Sequence, residues 1–267
     1  MLRIFVLRGI MNNILLENET LTHVNENIKL IQRKNGLTFG TDAFLLASFL
    51  KEQKSGVALE LGGGTGIISL LCATKDKFKT IYCAEIQPEF ADVISRNVQL
   101  NSLEKKINPI CMDIRDLKSA TLGFEVDVVF SNPPYMKVDS GKRNEHDEKF
   151  IARHEVCGNI EDFCACAYRL LKHGGRFYCV YRPDRLTDLI FAMRQHKLEP
   201  KVITFVAATA SSEPSMVLVR AIKGGASGMQ VTRNLFLHDS KENAAKSILS
   251  EDAGKIYETC SFEEFLK

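Results

Sequence analysis

Residues 60–66 read Glu-Leu-Gly-Gly-Gly-Thr-Gly, with four glycines in the five positions from Gly62 to Gly66. A short apolar run, Val57–Leu61, precedes them, and a helix-patterned run from about Thr65 to Thr74 follows. A strand that turns through glycines straight into a helix has few homes. It opens a unit in which the backbone can approach a ligand where any Cβ would clash, and the helix N-terminus adds a positive dipole end. The pattern is not the dinucleotide fingerprint G-x-G-x-x-G, because Ile67 stands where the third glycine belongs. It is acidic-x-G-x-G-x-G, with Glu60 two positions ahead of Gly62 and with Gly62, Gly64 and Gly66 alternating. An acidic residue there suits a ligand with a positive charge near the turn, as the amino group of a methionine moiety has. The bland alternative is a tight strand–helix turn that holds nothing.

The rest of the chain continues the alternation. Strands are predicted at Thr80–Glu85, Ile107–Met112, Val126–Ser131 and Arg176–Tyr181, with a helix opened by Pro88 and an amphipathic helix capped by Asn159 between them. Another helix over Leu186–Met193 leads to strands at about 201–207 and 215–222. Only Ala210–Pro214 joins those last two, too short for a crossover, so they must pair antiparallel. Strands that alternate with helices form right-handed βαβ units and a mostly parallel, doubly wound sheet. Ahead of this body, residues 12–40 suggest a small hairpin, and Thr41 or Asp42 looks like the N-cap of a helix through Phe49. Gly224–Gly228 marks the end of the body. The expected organisation is an extension over 1–40, a main domain over 41–223 and a short tail over 224–267.

Composition narrows the class of protein. At 267 residues with 45% apolar side chains, the chain can bury a large core. It has no run of 18 apolar residues, and Ile4–Leu7 is too short for a signal-peptide core, so a cytoplasmic protein without a membrane segment is expected. The eight cysteines sit mostly in apolar runs, as reduced buried thiols do, and the lone C-x-C of Cys164 and Cys166 is a weak zinc signal. No metal is expected. Thirty-five Lys and Arg against 33 Asp and Glu leave +2, which neither announces nor excludes a nucleic-acid partner.

Three more features fall at strand tips, all facing one crevice. Glu85 ends the second strand of the body, where a carboxylate can accept both hydroxyls of a ribose. Asp113 ends the third and is the matching acceptor for the exocyclic amine of an adenine. Asn132-Pro133-Pro134-Tyr135 follows the fourth. Its prolines hold the backbone extended and remove two N–H donors, so the Asn132 amide oxygen and a free carbonyl make a two-acceptor clamp for an NH₂ group. Tyr135 adds a flat face for stacking a planar base or amide. Here the bland reading is a rigid loop with Asn132 as a cap.

Taken together, Glu60–Gly66, Glu85, Asp113 and Asn132–Tyr135 resemble the class I S-adenosylmethionine (SAM) methyltransferases of the amino-methylating group that carry an N-P-P-Y motif. Leu170–Gly175 is similar to the L-L-K-P-G-G of that group, with His173 in place of proline. Phe39-Gly40-Thr41-Asp42-Ala43 and Ala152-Arg153-His154-Glu155 are similar to bacterial tRNA (adenine-N6)-methyltransferases, which modify the adenine just 3′ of the anticodon of a valine tRNA. The resemblance spans about Leu21 to Lys223. It implies a Rossmann-like, doubly wound, seven-stranded sheet with a terminal antiparallel hairpin, and SAM as cofactor. It places Thr41, Asp42, Glu60, Gly62, Gly64, Gly66, Glu85, Asp113 and Asn132 at the cofactor, and Asn132, Pro133, Pro134 and Tyr135 at the reaction. Lys142, Arg153 and His154 become candidates to contact an RNA substrate, most simply a tRNA. The stretch 137–155 balances five basic against five acidic residues, so its charge adds nothing to that expectation, although its length and polarity suit a lid.

N-P-P-Y also serves enzymes that methylate a release-factor glutamine amide or a guanine amine of ribosomal RNA, because amide and aromatic amine share donor geometry. An NAD(P)-dependent oxidoreductase is disfavoured by Ile67, and a non-catalytic SAM-binding protein by the intact clamp.

Overall fold

The computed structural model describes residues 15–34, 39–134 and 158–267. A hairpin, β1 (Glu19–His23) and β2 (Lys29–Arg33), comes first. Then follow α1 (Thr41–Phe49), β3 (Gln53–Leu61), α2 (Ile67–Thr74), β4 (Phe78–Glu85), α3 (Pro88–Leu100), β5 (Ile107–Cys111), the single turn α4 (Ser119–Leu122) and β6 (Val126–Ser131). The second half holds α5 (Ile160–Leu170), β7 (Leu171–Tyr181), α6 (Leu186–Gln195), β8 (Leu198–Ala207) and β9 (Pro214–Lys223). After these come β10 (Gln230–Val231), β11 (Leu235–Phe236), α7 (Lys241–Ala245) and α8 (Glu251–Thr259).

The main sheet runs β5-β4-β3-β6-β7-β9-β8. Five strands, β3 to β7, are parallel to their neighbours in that group, and β9 is antiparallel to both β7 and β8. This is the doubly wound seven-stranded sheet with its antiparallel hairpin. Two short strands from the end of the chain, β10 and β11, extend it by pairing parallel to β8. Helices α1, α2 and α3 cover one face, where Leu45, Leu70 and Ile94 bury against Ile81 and Phe130. Helices α5 and α6 cover the other, where Phe163, Leu170 and Leu189 bury against Leu59 and Val129. With both faces covered, the central strands are nearly continuous apolar runs, as parallel sheets require.

Local chemistry fixes the element ends. Pro88 opens α3 at its first turn. Asn159 and Asp162 form a reciprocal capping box on α5, with Asn159 Oδ1 accepting from Glu161 N at 2.8 Å. At α1 the structure departs from expectation: Gly40 is the N-cap and no side chain caps the helix. Thr41 and Asp42 lie inside the first turn, so their side chains are released for other partners. The hairpin docks on α3 through Asn97, whose amide pairs with both Ile31 N (2.6 Å) and Ile31 O (3.1 Å) and also reaches Thr65 O (2.9 Å) in the glycine turn. Residues after Gly224, expected as a tail, fold back on the same face as α1, burying Ile256, Cys260, Phe262 and Phe265. Among the described residues, no helix is long and apolar enough to cross a membrane.

Candidate active site

The C-terminal ends of β3, β4, β5 and β6 lie side by side in the sheet and carry the glycine turn, Glu85, Asp113 and Asn132 in that order of strands. The turn is built on its neighbour. Gly62 N and Gly63 N both donate to Ala84 O, at 2.9 and 3.0 Å, and Gly64 N donates to Glu85 Oε2 at 2.9 Å. Gly62, Gly64 and Gly66 all have positive φ, at 71°, 56° and 79°. Their surroundings differ. A Cβ on Gly66 would stand 3.2 Å from the Ile94 side chain, whereas a Cβ on Gly64 would meet nothing within 4 Å. Gly66 is glycine because the fold packs there; Gly64 faces open space, the cradle a closely approaching ligand needs.

Glu85 is 5% exposed, and its two oxygens bridge the loops on either side of the crevice, Oε2 taking Gly64 N and Oε1 taking Gln87 N at 2.9 Å. Burial pushes its pKa up, and the Gln87 and Gly64 N–H groups pull against that. Each oxygen retains a lone pair for a ribose hydroxyl. Glu60 sits differently. It is 1% exposed and turns inward under the turn, where it accepts from Ser69 N at 3.1 Å, from the Ser69 hydroxyl and from Cys83 Sγ at 3.4 Å. Burial raises its pKa to about 7. Its carboxyl thus ties the start of α2 to β3 and β4. Asp113 is held by Arg115, whose Nε lies 3.0 Å from both carboxylate oxygens, and that pairing lowers its pKa.

Asn132 follows β6 and Asp42 stands on α1, and the structure brings them together: Asn132 Nδ2 donates to Asp42 Oδ2 at 2.7 Å. A carboxylate can only accept, so the amide nitrogen must face Asp42 and the amide oxygen is the end offered to an incoming donor. Both residues line a cavity of about 790 Å³ beyond the ends of β6 and β7, with Thr41, Tyr181, Pro183 and Met216. That volume is in the range of sites for nucleotide-sized ligands. Sequence reasoning did not find Tyr181, Pro183 or the Pro214–Met216 segment, although two signals existed. Tyr181 ends a parallel strand, and an antiparallel β9 must begin where its neighbours end.

Tyr135, Lys142, Arg153 and His154, with the lid expected over 137–155, lie outside the described residues. Cys164 and Cys166 are buried in α5, and burial pushes the Cys166 thiol up to about 12. A Tyr-x-x-x-Lys spacing of the kind oxidoreductases use is present at Tyr168 and Lys172. It lies at the opposite end of the strands, with Lys172 Nζ on Asp127 Oδ1 at 2.7 Å and Tyr168 beneath Lys223 Nζ.

A parallel sheet of this order, a glycine cradle beside a buried carboxylate and an asparagine oriented in the wall of the cavity suit an enzyme that binds a nucleoside cofactor at its strand tips. More narrowly, residues 33–196 match the methyltransferase small domain, and the chain belongs to that family. It is 29% identical over 185 residues to the tRNA1(Val) (adenine(37)-N6)-methyltransferase of Porphyromonas gingivalis, covering 67% of this chain and 72% of that one. The enzyme of the same description from Aliivibrio salmonicida is 24% identical over 184 residues, covering 69% and 76%. Among solved structures, a predicted O-methyltransferase from Agrobacterium tumefaciens superposes with a TM-score of 0.67 over 83% of this chain and 97% of its own, at 20% identity. The chain is a SAM-dependent methyltransferase, and its residues fit the cofactor: Gly64 leaves room for close approach, and Glu85 presents buried acceptors for hydroxyls.

Proposed function

We propose that this methyltransferase acts on the exocyclic N6 amine of an adenine in tRNA. The observation that carries the proposal is the Asp42–Asn132 pair in the wall of the cavity. Bound SAM supplies an electrophilic methyl group on its sulfonium. The protein's part is to hold the nitrogen. An aromatic amine delocalises its lone pair into the ring and is a poor nucleophile. The Asn132 amide oxygen and the Pro133 carbonyl accept its two N–H bonds and favour a pyramidal nitrogen, which returns the lone pair to the attacking atom. Asp42 fixes the amide before the substrate arrives, so no reorientation is required during the reaction. No dedicated base is needed, since the nitrogen becomes cationic first and then sheds its proton. Tyr135, next along the chain, is placed by its position in the motif to stack on the base. A base in a single-stranded loop is the least costly to extrude into such a cavity.

Support for tRNA rests on the relatives, which carry tRNA and adenine N6 in their descriptions and match two thirds or more of both chains. The test is to incubate the protein with methyl-labelled SAM and separate pools of tRNA, ribosomal RNA and release factor. Label should enter tRNA and appear as N6-methyladenine after digestion to nucleosides. Label in a release factor but not in tRNA overturns the RNA assignment and moves the enzyme to glutamine amides.

A further inference from the structure

The family match ends at residue 196, yet α8, far beyond it, touches the helix that carries Asp42. Tyr257 stacks on Phe44 with ring centroids 4.2 Å apart and planes 13° from parallel. Lower on the same face, Cys260 lies 3.5 Å from the Ser48 hydroxyl and Phe262 packs edge-on against Phe49. Phe44 and Ser48 are four residues apart, so the C-terminal segment covers one stripe of α1 from its first turn to its last. The segment has its own anchor: Arg233 pairs with Asp252 and lies over the Phe265 ring at 4.1 Å.

The first turn of α1 needs this support. The helix has only nine residues and no side-chain cap, so its opening turn would fray in isolation. Asp42 sits in that turn, two residues ahead of Phe44, which is held by the Tyr257 ring. We infer that Tyr257 is a positioning residue: by fixing the uncapped first turn of α1, the C-terminal segment sets the Asp42 carboxylate against Asn132 and so orients the amide that receives the substrate amine. The inference rests on Asn132 as the amine acceptor, but not on which substrate brings the amine.

The test uses the full chain with ¹⁵N-labelled asparagine. The side-chain NH₂ signal of Asn132, identified by its loss in Asn132→Ser, reports the bond to Asp42 without any substrate. Tyr257→Ala, which removes the ring, should move that signal toward its position in Asp42→Ala, and Tyr257→Phe, which keeps the stack on Phe44, should move it less. In parallel, Tyr257→Ala should lower kcat by roughly tenfold with the KM for SAM unchanged within about twofold, and should add no further loss in an Asp42→Ala background. A motionless amide signal in both Tyr257 variants, or losses that multiply in the double variant, overturns the inference. If none of the substrate pools accepts label while the signal still moves, the substrate assignment fails and the positioning role stands.

Discussion

The cofactor half of the crevice and the acceptor half are built on different length scales. Gly64, in the turn after β3, and Glu85, at the end of β4, are proposed to frame the cofactor; they are 21 residues apart, so their hydrogen bond follows from one βαβ unit. Asp42 and Asn132, proposed to frame the acceptor, are 90 residues apart and meet only through long-range packing. Phe44, two residues after Asp42, is stacked by Tyr257 from the other end of the chain. The Gly64–Glu85 contact is thus set within one local unit, whereas the Asp42–Asn132 contact depends on long-range packing. The sharpest way to break this division is Asn132→Ala. Turnover should fall by roughly 10²–10³, the scale for losing one preorganised hydrogen bond in the transition state, while SAM affinity by calorimetry stays within about twofold. Normal turnover would make Asn132 a structural cap, and a large loss of SAM affinity would erase the boundary between the halves.

The same contrast explains what the sequence could and could not tell. Strand–turn–helix order, the Ala210–Pro214 connection and the capping box at Asn159 are local, and each is legible from residue types a few positions apart. Topology then placed the tips of β3 to β6 on one edge, which was enough to group Glu85 and Asn132. Long-range pairing was not legible. Asp42 looked like a helix cap because Asp often is one; only the docking of α1 over β7 and β9 brings its carboxylate to Asn132. Glu60 looked like a ligand group because it precedes the glycines, but Ser69 arrives one helical turn later and takes its carboxyl. The segment after Gly224 looked like a tail because its apolar residues are sparse. Ile256, Cys260, Phe262 and Phe265 nevertheless bury where α1 has left a stripe to cover.

A more moderate effect is expected from the glycines, and it separates ligand contact from fold. Both Gly64 and Gly66 have positive φ, so alanine at either costs about 1–2 kcal/mol of backbone strain. At Gly66 the new methyl also crowds Ile94, so Gly66→Ala should lose additional thermal stability. At Gly64 the methyl enters open space on the ligand side. Gly64→Ala should therefore melt closer to wild type but bind SAM about tenfold or more weakly. If Gly64→Ala binds SAM as wild type does, the space over Gly64 is not where the cofactor lies.

The smallest effect on methyl transfer, and one that sharpens the comparison within the cofactor half, concerns its two buried carboxyls. Glu85 faces the crevice and Glu60 faces the interior, so protonation of Glu60 should register in stability and not in catalysis. Burial raises the Glu60 pKa from about 4.5 to about 7 in the folded chain. Unfolded chains therefore release this proton first as pH rises. The stability it contributes is complete below about pH 4.5 and is lost as pH climbs through about 7, with a ceiling of about 3 kcal/mol. Glu60→Gln keeps an oxygen for Ser69 and has no proton to lose, so the difference in Tm between variant and wild type should widen in the variant's favour from pH 5 to pH 8. Turnover at fixed, saturating SAM should change little. If the Tm difference is the same at both pH values, the Glu60 carboxyl is already ionised in the fold. A variant that instead loses SAM binding while its Tm holds would show that Glu60, like Glu85, serves the cofactor directly.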